Sequence, residues 1–116
     1  MFPAEEYADR RARLAEELDL LAVDLAILTH ETDLFYFSGT CQAAYFFLHR
    51  SGRVWLAARR GTLRARFETS LPVEEFRDPA GLRAAILRYA PSSPRRVGFA
   101  FDRTRHEEAV YLRTLF

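Results

Sequence analysis

The side chains that could take part in catalysis or metal binding are few and lie far apart in this sequence. The histidines His30, His49 and His106 each stand alone, and the chain contains neither a His-Glu-x-x-His nor a Cys-x-x-Cys pattern. The single cysteine, Cys41, would act as a nucleophile only if the fold placed a base beside it. We therefore predict no metal site on this chain, and we expect the histidines to be surface or capping residues.

The charged clusters offer other chemistry. An arginine cluster could bind an anion, but such clusters more often pair with local carboxylates such as Glu68; its members are Arg59, Arg60, Arg64 and Arg66. The adjacent pairs Glu74-Glu75 and Glu107-Glu108 point in different directions on a strand or a helix, so we expect them to be solvated. The residue types alone thus indicate a domain without a complete active site.

Composition argues against several kinds of partner. The 17 basic residues, all arginine, and 16 acidic residues give a net charge of +1, which provides no long-range field for nucleic acid or an anionic membrane. No apolar run approaches the roughly 20 residues of a membrane span, and MFPAEEYADRR lacks the apolar core of a secretory signal. A lone cysteine favours a reducing, cytoplasmic location.

The first predicted helix covers residues 5–22, with Pro3 suited to its start. Its apolar face should carry Tyr7, Leu14, Leu18 and Leu21. Its other face should be solvated, and carries Asp9, Arg10, Arg13, Glu16 and Glu17. Residues 23–30 then predict a short buried strand.

The stretch DLFYFSGT sets three aromatic residues directly against a flexible Ser-Gly-Thr. We interpret it as a single helical turn, capped by Thr32 or Asp33 and ended by Gly39. The aromatic residues should pack into the sheet, Phe35 and Tyr36 above all. Gly39 should adopt the backbone angles that let the chain reverse into the next strand.

The rest of the chain alternates strands and helices. Residues 42–49 and 53–59 predict an antiparallel hairpin. A helix is predicted next, over residues 61–71, with Leu63 and Phe67 one turn apart. An edge strand follows over residues 72–78.

Helix signals mark the last third of the chain. Asp78-Pro79 begins a helix whose inner face should carry Leu82, Ile86 and Tyr89, and residues 96–102 form the last strand. A capping box, Thr104 with Glu107, starts a final helix to Phe116 without a stop signal. The order predicts an α/β fold with a mixed sheet of about five to six strands flanked by helices. We expect residues 1–116 to form a single domain of a longer protein.

Five motifs occur in an order typical of one family. They are EYADRRARLAEEL, VDLAILT, TDLFYFSGT, ARRGTLRARFETSLP and RVGFAFD. With these five motifs in this order, the chain resembles, over nearly its whole length, the N-terminal domain of the creatinase, prolidase and aminopeptidase P metallopeptidases. The most specific part is Tyr36-Phe37-Ser38-Gly39, which is similar to the family's Tyr-(Leu/Phe)-(Ser/Thr)-Gly. One departure is Ala22, where many relatives place glycine; alanine ends a helix at a cost if it is left-handed.

The resemblance implies a ribonuclease H-like fold and a non-catalytic role. In the family, a second, C-terminal "pita-bread" domain holds two divalent metal ions, of manganese or cobalt type, and hydrolyses the bond before proline. The N-terminal domain serves oligomerisation and shapes substrate access. The implied partners are that catalytic domain of the same protein, a second copy in a homodimer, and a peptide substrate.

The resemblance also singles out residues near the substrate. The segment after the glycine approaches the active site of the partner subunit in creatinase-like dimers, which here would be Thr40, Cys41, Gln42 and Tyr45. For the homodimer we expect the hairpin, through its outer strand, or the final helix to form the interface. The alternative is a free-standing dimerisation or ligand-binding module without peptidase activity, and the reading frame beyond Phe116 would distinguish the two.

Overall fold

The computed structural model describes residues 3–40, 42–59, 62–91 and 93–99. Its elements in chain order are α1 (Ala4–Leu20), β1 (Leu25–Leu28), α2 (Glu31–Ser38), β2 (Tyr45–His49), β3 (Val54–Ala58), α3 (Thr62–Glu68), β4 (Val73–Glu75), α4 (Pro79–Tyr89) and β5 (Val97–Phe99). This is the predicted order as far as Phe99. The final helix predicted from Thr104 lies outside the described residues, as does Cys41.

The five strands form one mixed sheet in the order β4-β3-β2-β1-β5. β2 pairs antiparallel with both β1 and β3, whereas β4 is parallel to β3 and β5 is parallel to β1. The predicted α/β class, hairpin and edge strand after Pro72 are confirmed. The expectation that the hairpin offers a free outer strand is wrong, because β4 covers β3 and both hairpin strands lie inside the sheet.

Helices cover both faces of the sheet, and the alternation of side chains along β2 shows why. Phe46 and Leu48 point to the face that packs against α1, α2 and α3, in a cluster with Leu18 and Leu34. Tyr45 and Phe47 point to the other face, where Trp55 packs with Leu82 and Ile86 of α4. Bulky side chains on both faces explain why β2 reads as a continuous apolar run.

The end of α1 departs from its predicted face. Leu21 is 64% exposed, because the helix ends at Leu20 and the chain turns before Leu21 can pack. The turn passes through Ala22, which has a φ of 55°, and the N–H of Val23 donates to the carbonyl of Leu18 at 2.9 Å. A left-handed residue followed by this bond is a common helix ending that usually uses glycine.

α3 presents an apolar pair to solvent. Leu63 and Phe67 are one turn apart as predicted, but they are 83% and 92% exposed, and the residue that α3 buries is Ala65. Helical spacing predicts which residues share a face and leaves open which face meets the sheet. Ala65 packs in the cluster that contains Leu56 and Val73 of the sheet, and the larger apolar residues of α3 lie outside.

α4 begins as predicted. Asp78 is the N-cap residue, its Oδ1 accepts from the N–H of Gly81 at 2.7 Å, and Pro79 occupies the first turn. Leu82 and Ile86 are fully buried, which confirms the inner face. Across the described ranges, no helix is both long and apolar enough to cross a membrane.

Candidate functional site around Gly39

The N-terminus of α2 is capped by a residue other than those predicted. His30 is the N-cap residue, and its Nδ1 accepts from the N–H of Thr32 at 3.2 Å. The prediction of Thr32 or Asp33 as the cap is therefore wrong by two or three residues. The expectation that His30 is a surface or capping residue is confirmed.

The aromatic run on α2 splits between core and solvent. Phe35 is 42% and Tyr36 is 46% exposed, so the prediction that both lie in the core is wrong. Leu34 is buried, and Phe37 stacks on Phe46 of the sheet with the ring centroids 5.7 Å apart. Residues three apart share a helix face, so burying Leu34 and Phe37 turns the two residues between them outward.

Gly39 ends α2 in the left-handed conformation, as predicted. Its φ is 86°, and its N–H donates to the carbonyl of Phe35 at 2.9 Å. A Cβ added at this position would lie 3.3 Å from the ring of Tyr7. The position thus favours glycine for its backbone angles and for the close approach of α1.

Two arginines of α1 bind the last carbonyl groups of α2. Arg10 Nη1 donates to the carbonyl of Tyr36 at 2.9 Å, and Arg11 Nη1 donates to that of Phe37 at 2.8 Å. The Arg10 guanidinium also lies 4.1 Å from the centre of the Tyr36 ring. Positive charge suits the negative end of a helix. The prediction that Arg10 lies on a solvated face is wrong, since only 9% of its side chain is exposed.

Hydrogen bonds join the segment after Gly39 to α3. The Thr40 hydroxyl donates to Glu68 Oε1 at 2.7 Å, and Thr40 Oγ1 accepts from the N–H of Gln42 at 3.1 Å. Ser38 Oγ donates to the carbonyl of Leu34 and accepts from the N–H of Thr40. This set of contacts fixes the path of the chain from α2 towards β2.

Of the four predicted substrate-facing residues, Cys41 lies outside the described residues, and the structure brings two of the other three together. Thr40 is buried, and Gln42 is half-buried beside it. Tyr45 is fully buried on the opposite face of the sheet, where its hydroxyl accepts from Arg59 Nη2 at 3.3 Å. Gln42 is therefore the one of these three that is not fully buried.

A cavity of about 450 Å³ opens beside Gly39, and we call it the Gly39 cavity. It lies between the start of α1, the end of α2 and the end of α3. Its lining includes Ala4, Arg11, Gly39, Arg66, Phe67 and Glu68. The sequence analysis missed this cavity, because its walls come from segments far apart in the chain.

The charged clusters are engaged more than predicted. Arg64 pairs with Glu68, their Nε and Oε2 atoms 3.5 Å apart, as the sequence analysis expected. Glu74 is not solvated, however: Glu74 Oε1 accepts from the Tyr89 hydroxyl and from Arg88 Nη1, both at 2.8 Å. The hydrogen bond from Tyr89, followed by that from Arg88, lowers the pKa of Glu74 below its usual value.

The described residues do not fit a metal centre. No group of three or more His, Cys, Asp or Glu side chains converges within these ranges. His30 caps α2, and His49 Nδ1 accepts from the N–H of Ser51 at 3.0 Å. Burial lowers the pKa of His49, which keeps the ring neutral and able to accept that bond.

Comparison with known proteins agrees with this fold. Residues 10–116 match the Creatinase/Prolidase N-terminal domain family. No curated protein matches the sequence significantly.

Several solved structures share the fold, among them the following three. The creatinase/prolidase N-terminal domain of an X-Pro dipeptidase from Streptococcus pyogenes is 20% identical, with a TM-score of 0.78 over 94% of this chain and 88% of that one. A proline dipeptidase from Streptococcus agalactiae is 17% identical, with a TM-score of 0.80 over 93% and 87%. Prolidase from Pyrococcus furiosus is 17% identical, with a TM-score of 0.69 over 87% of this chain but 29% of that one.

Proposed function

Because this chain belongs to the creatinase/prolidase N-terminal domain family, we propose that it is the non-catalytic N-terminal domain of a metal-dependent Xaa-Pro peptidase. The observation that carries the proposal is the family match over residues 10–116. In this proposal residues 1–116 are one domain of a cytoplasmic protein that continues past Phe116. The adjoining C-terminal domain holds two divalent metal ions, of manganese or cobalt type, and hydrolyses the bond before proline in a peptide substrate.

The proposed role of this domain is to support oligomerisation and to shape the path of the substrate. The exposed apolar pair Leu63 and Phe67 on α3 supports an interface with the catalytic domain or with a second copy in a homodimer. Towards the substrate, half-buried Gln42 is the most accessible of the predicted residues that the structure describes, and buried Thr40 holds its backbone. Buried Tyr45 would influence the substrate path only indirectly, by accepting the hydrogen bond from Arg59.

The native gene product tests the proposal through its length. We expect its intact mass to exceed that of 116 residues, and the added segment to contain the Asp, His and Glu residues of a two-metal site. Light scattering of the native gene product should give twice the mass of one chain, as a homodimer requires. A native product that ends at Phe116 would overturn the proposal in favour of a free-standing dimerisation or ligand-binding module.

A further inference from the structure

The Gly39 cavity has the size of a small-molecule site. Its volume of about 450 Å³ lies in the range of ligand pockets, which is roughly 300–1,000 Å³. Polar and apolar residues both line it, including Arg11, Arg66 and Phe67. What the cavity can bind depends on which of these groups are already engaged.

Arg11 is a half-buried cation without a counter-charge in the described part of the chain. Its Nη1 donates to the carbonyl of Phe37, and among those residues its other N–H groups have no acceptor and no carboxylate lies within ion-pair distance. A guanidinium carries five N–H donors, so most of its capacity is unused. Burial without an opposing charge lowers the pKa of Arg11. An anion in the cavity would compensate for this desolvation.

The one acidic side chain in the lining is already engaged. Glu68 Oε1 accepts from the Thr40 hydroxyl at 2.7 Å, and Glu68 Oε2 lies 3.5 Å from Arg64 Nε. Burial, and not a neighbouring carboxylate, is the cause that lowers the pKa of Arg11. Glu68 therefore leaves the charge of Arg11 available to a ligand.

Other features of the lining favour an anion with an apolar part. Arg66 adds a second positive charge; its Nη2 donates to the carbonyl of Val73 at 3.0 Å, and Glu74 lies within electrostatic range of it. Ala4 belongs to the first turn of α1. The N-cap residue of that helix, Pro3, has no side chain that could accept a hydrogen bond from the backbone N–H groups of this turn. Phe67 is 92% exposed and provides an apolar wall.

We propose that the Gly39 cavity binds a small organic carboxylate that carries an apolar group. The carboxylate pairs with the free side of the Arg11 guanidinium, whose planar fork matches it, and Arg66 adds positive charge. The apolar group lies against Phe67. The inference concerns this domain alone and stands whether or not the parent protein is a peptidase.

A titration with a matched pair of probes tests the proposal. N-acetyl-leucine and N-acetyl-leucine amide differ in charge but hardly in size. We expect the acid to cause saturable shifts in the NMR signals of Arg11 Nε and the Gly39 amide of the 116-residue chain. The amide should bind at least about tenfold more weakly, since hydrogen bonds between charged groups are lost. Equal binding of the two probes, or no saturable shift, would overturn the proposal.

Variants assign the binding to the cavity. Arg11→Gln should reduce the affinity for N-acetyl-leucine to that for N-acetyl-leucine amide. Arg13→Gln, on the exposed face of the same helix, should leave the affinity for both probes unchanged. If Arg11→Gln does not fold, Arg66→Gln serves instead and should weaken binding several-fold. If the folded variant, Arg11→Gln or Arg66→Gln, binds N-acetyl-leucine with wild-type affinity, the proposal is contradicted. Tighter binding of inorganic phosphate than of N-acetyl-leucine would also contradict it.

Discussion

Thr40 donates a hydrogen bond of 2.7 Å to Glu68, 28 residues further along the chain. This contact joins the segment that comes after α2 to the end of α3, where Glu68 lines the Gly39 cavity. Thr40 is 1% exposed, so the bond is shielded from water at one end. Glu68 thereby anchors the same segment that carries Gln42.

Replacing Thr40 by valine should therefore destabilise the domain. Thr40→Val keeps the shape but removes the hydroxyl, leaving Glu68 without that donor. We expect a loss of about 1–2 kcal/mol in the free energy of unfolding, measured by urea denaturation. Thr32→Val, at an exposed position on α2, is the control and should change stability by less than about 0.5 kcal/mol. Equal effects of the two substitutions would show that the bond contributes nothing.

Two glycines separate backbone strain from steric contact. Gly39 and Gly52 both have positive φ, 86° and 97°, but a Cβ at Gly52 would meet nothing within 4 Å. Gly52→Ala should cost about 1–2 kcal/mol, from the left-handed backbone alone. Gly39→Ala should cost about 1 kcal/mol more, because its Cβ would crowd the Tyr7 ring. Thermal unfolding checks both values, and an unchanged melting temperature for Gly39→Ala would contradict this account.

Ala22 marks a position where the sequence can be improved. Its φ of 55° is unfavourable for a residue with a Cβ. Ala22→Gly should raise the free energy of unfolding by about 0.5–1 kcal/mol. Ala12→Gly, in the exposed middle of α1, is the matched control and should lower it by about 1 kcal/mol. If Ala22→Gly also lowers the melting temperature, the left-handed assignment is wrong.

Asp24 should make stability depend on acid pH. Its Oδ2 accepts from the backbone N–H groups of Arg95 and Arg96 at 2.9 and 3.2 Å, and these bonds, with Arg50, lower its pKa. A carboxyl group whose pKa is lower in the folded chain stabilises the fold above its unfolded pKa of about 4. That contribution disappears as the pH falls through the folded pKa.

The substitution Asp24→Asn tests this dependence. It should cost about 1 kcal/mol at pH 7 and progressively less towards pH 3, as monitored by urea denaturation at each pH. Asp9→Asn, at an exposed position on α1, should leave the acid part of the profile unchanged. A pH profile for Asp24→Asn that runs parallel to that of the unchanged protein would refute the role of Asp24.

Local signals in the sequence predicted local structure well. Three features that depend on residues close together in the sequence are confirmed: the Asp78-Pro79 cap, the hairpin and the left-handed Gly39. The mixed sheet was inferred from the order of the elements and from the family resemblance.

What escaped the sequence analysis depends on distant residues. Arg10 and Arg11 each bind a carbonyl group 26 residues away, and nothing near them in the sequence marks that contact. Periodicity also leaves open which face of a helix meets the sheet, so Phe35 and Tyr36 face solvent against expectation. The walls of the Gly39 cavity come from α1, α2 and α3, which only the tertiary fold brings together.

The most direct test of the central claim is hydrolysis of an Xaa-Pro dipeptide by the purified 116-residue chain, beside the native gene product, with and without Mn²⁺ or Co²⁺. Our account predicts metal-dependent release of the N-terminal residue by the native product and none by residues 1–116. Metal-dependent release by the 116-residue chain alone would contradict it.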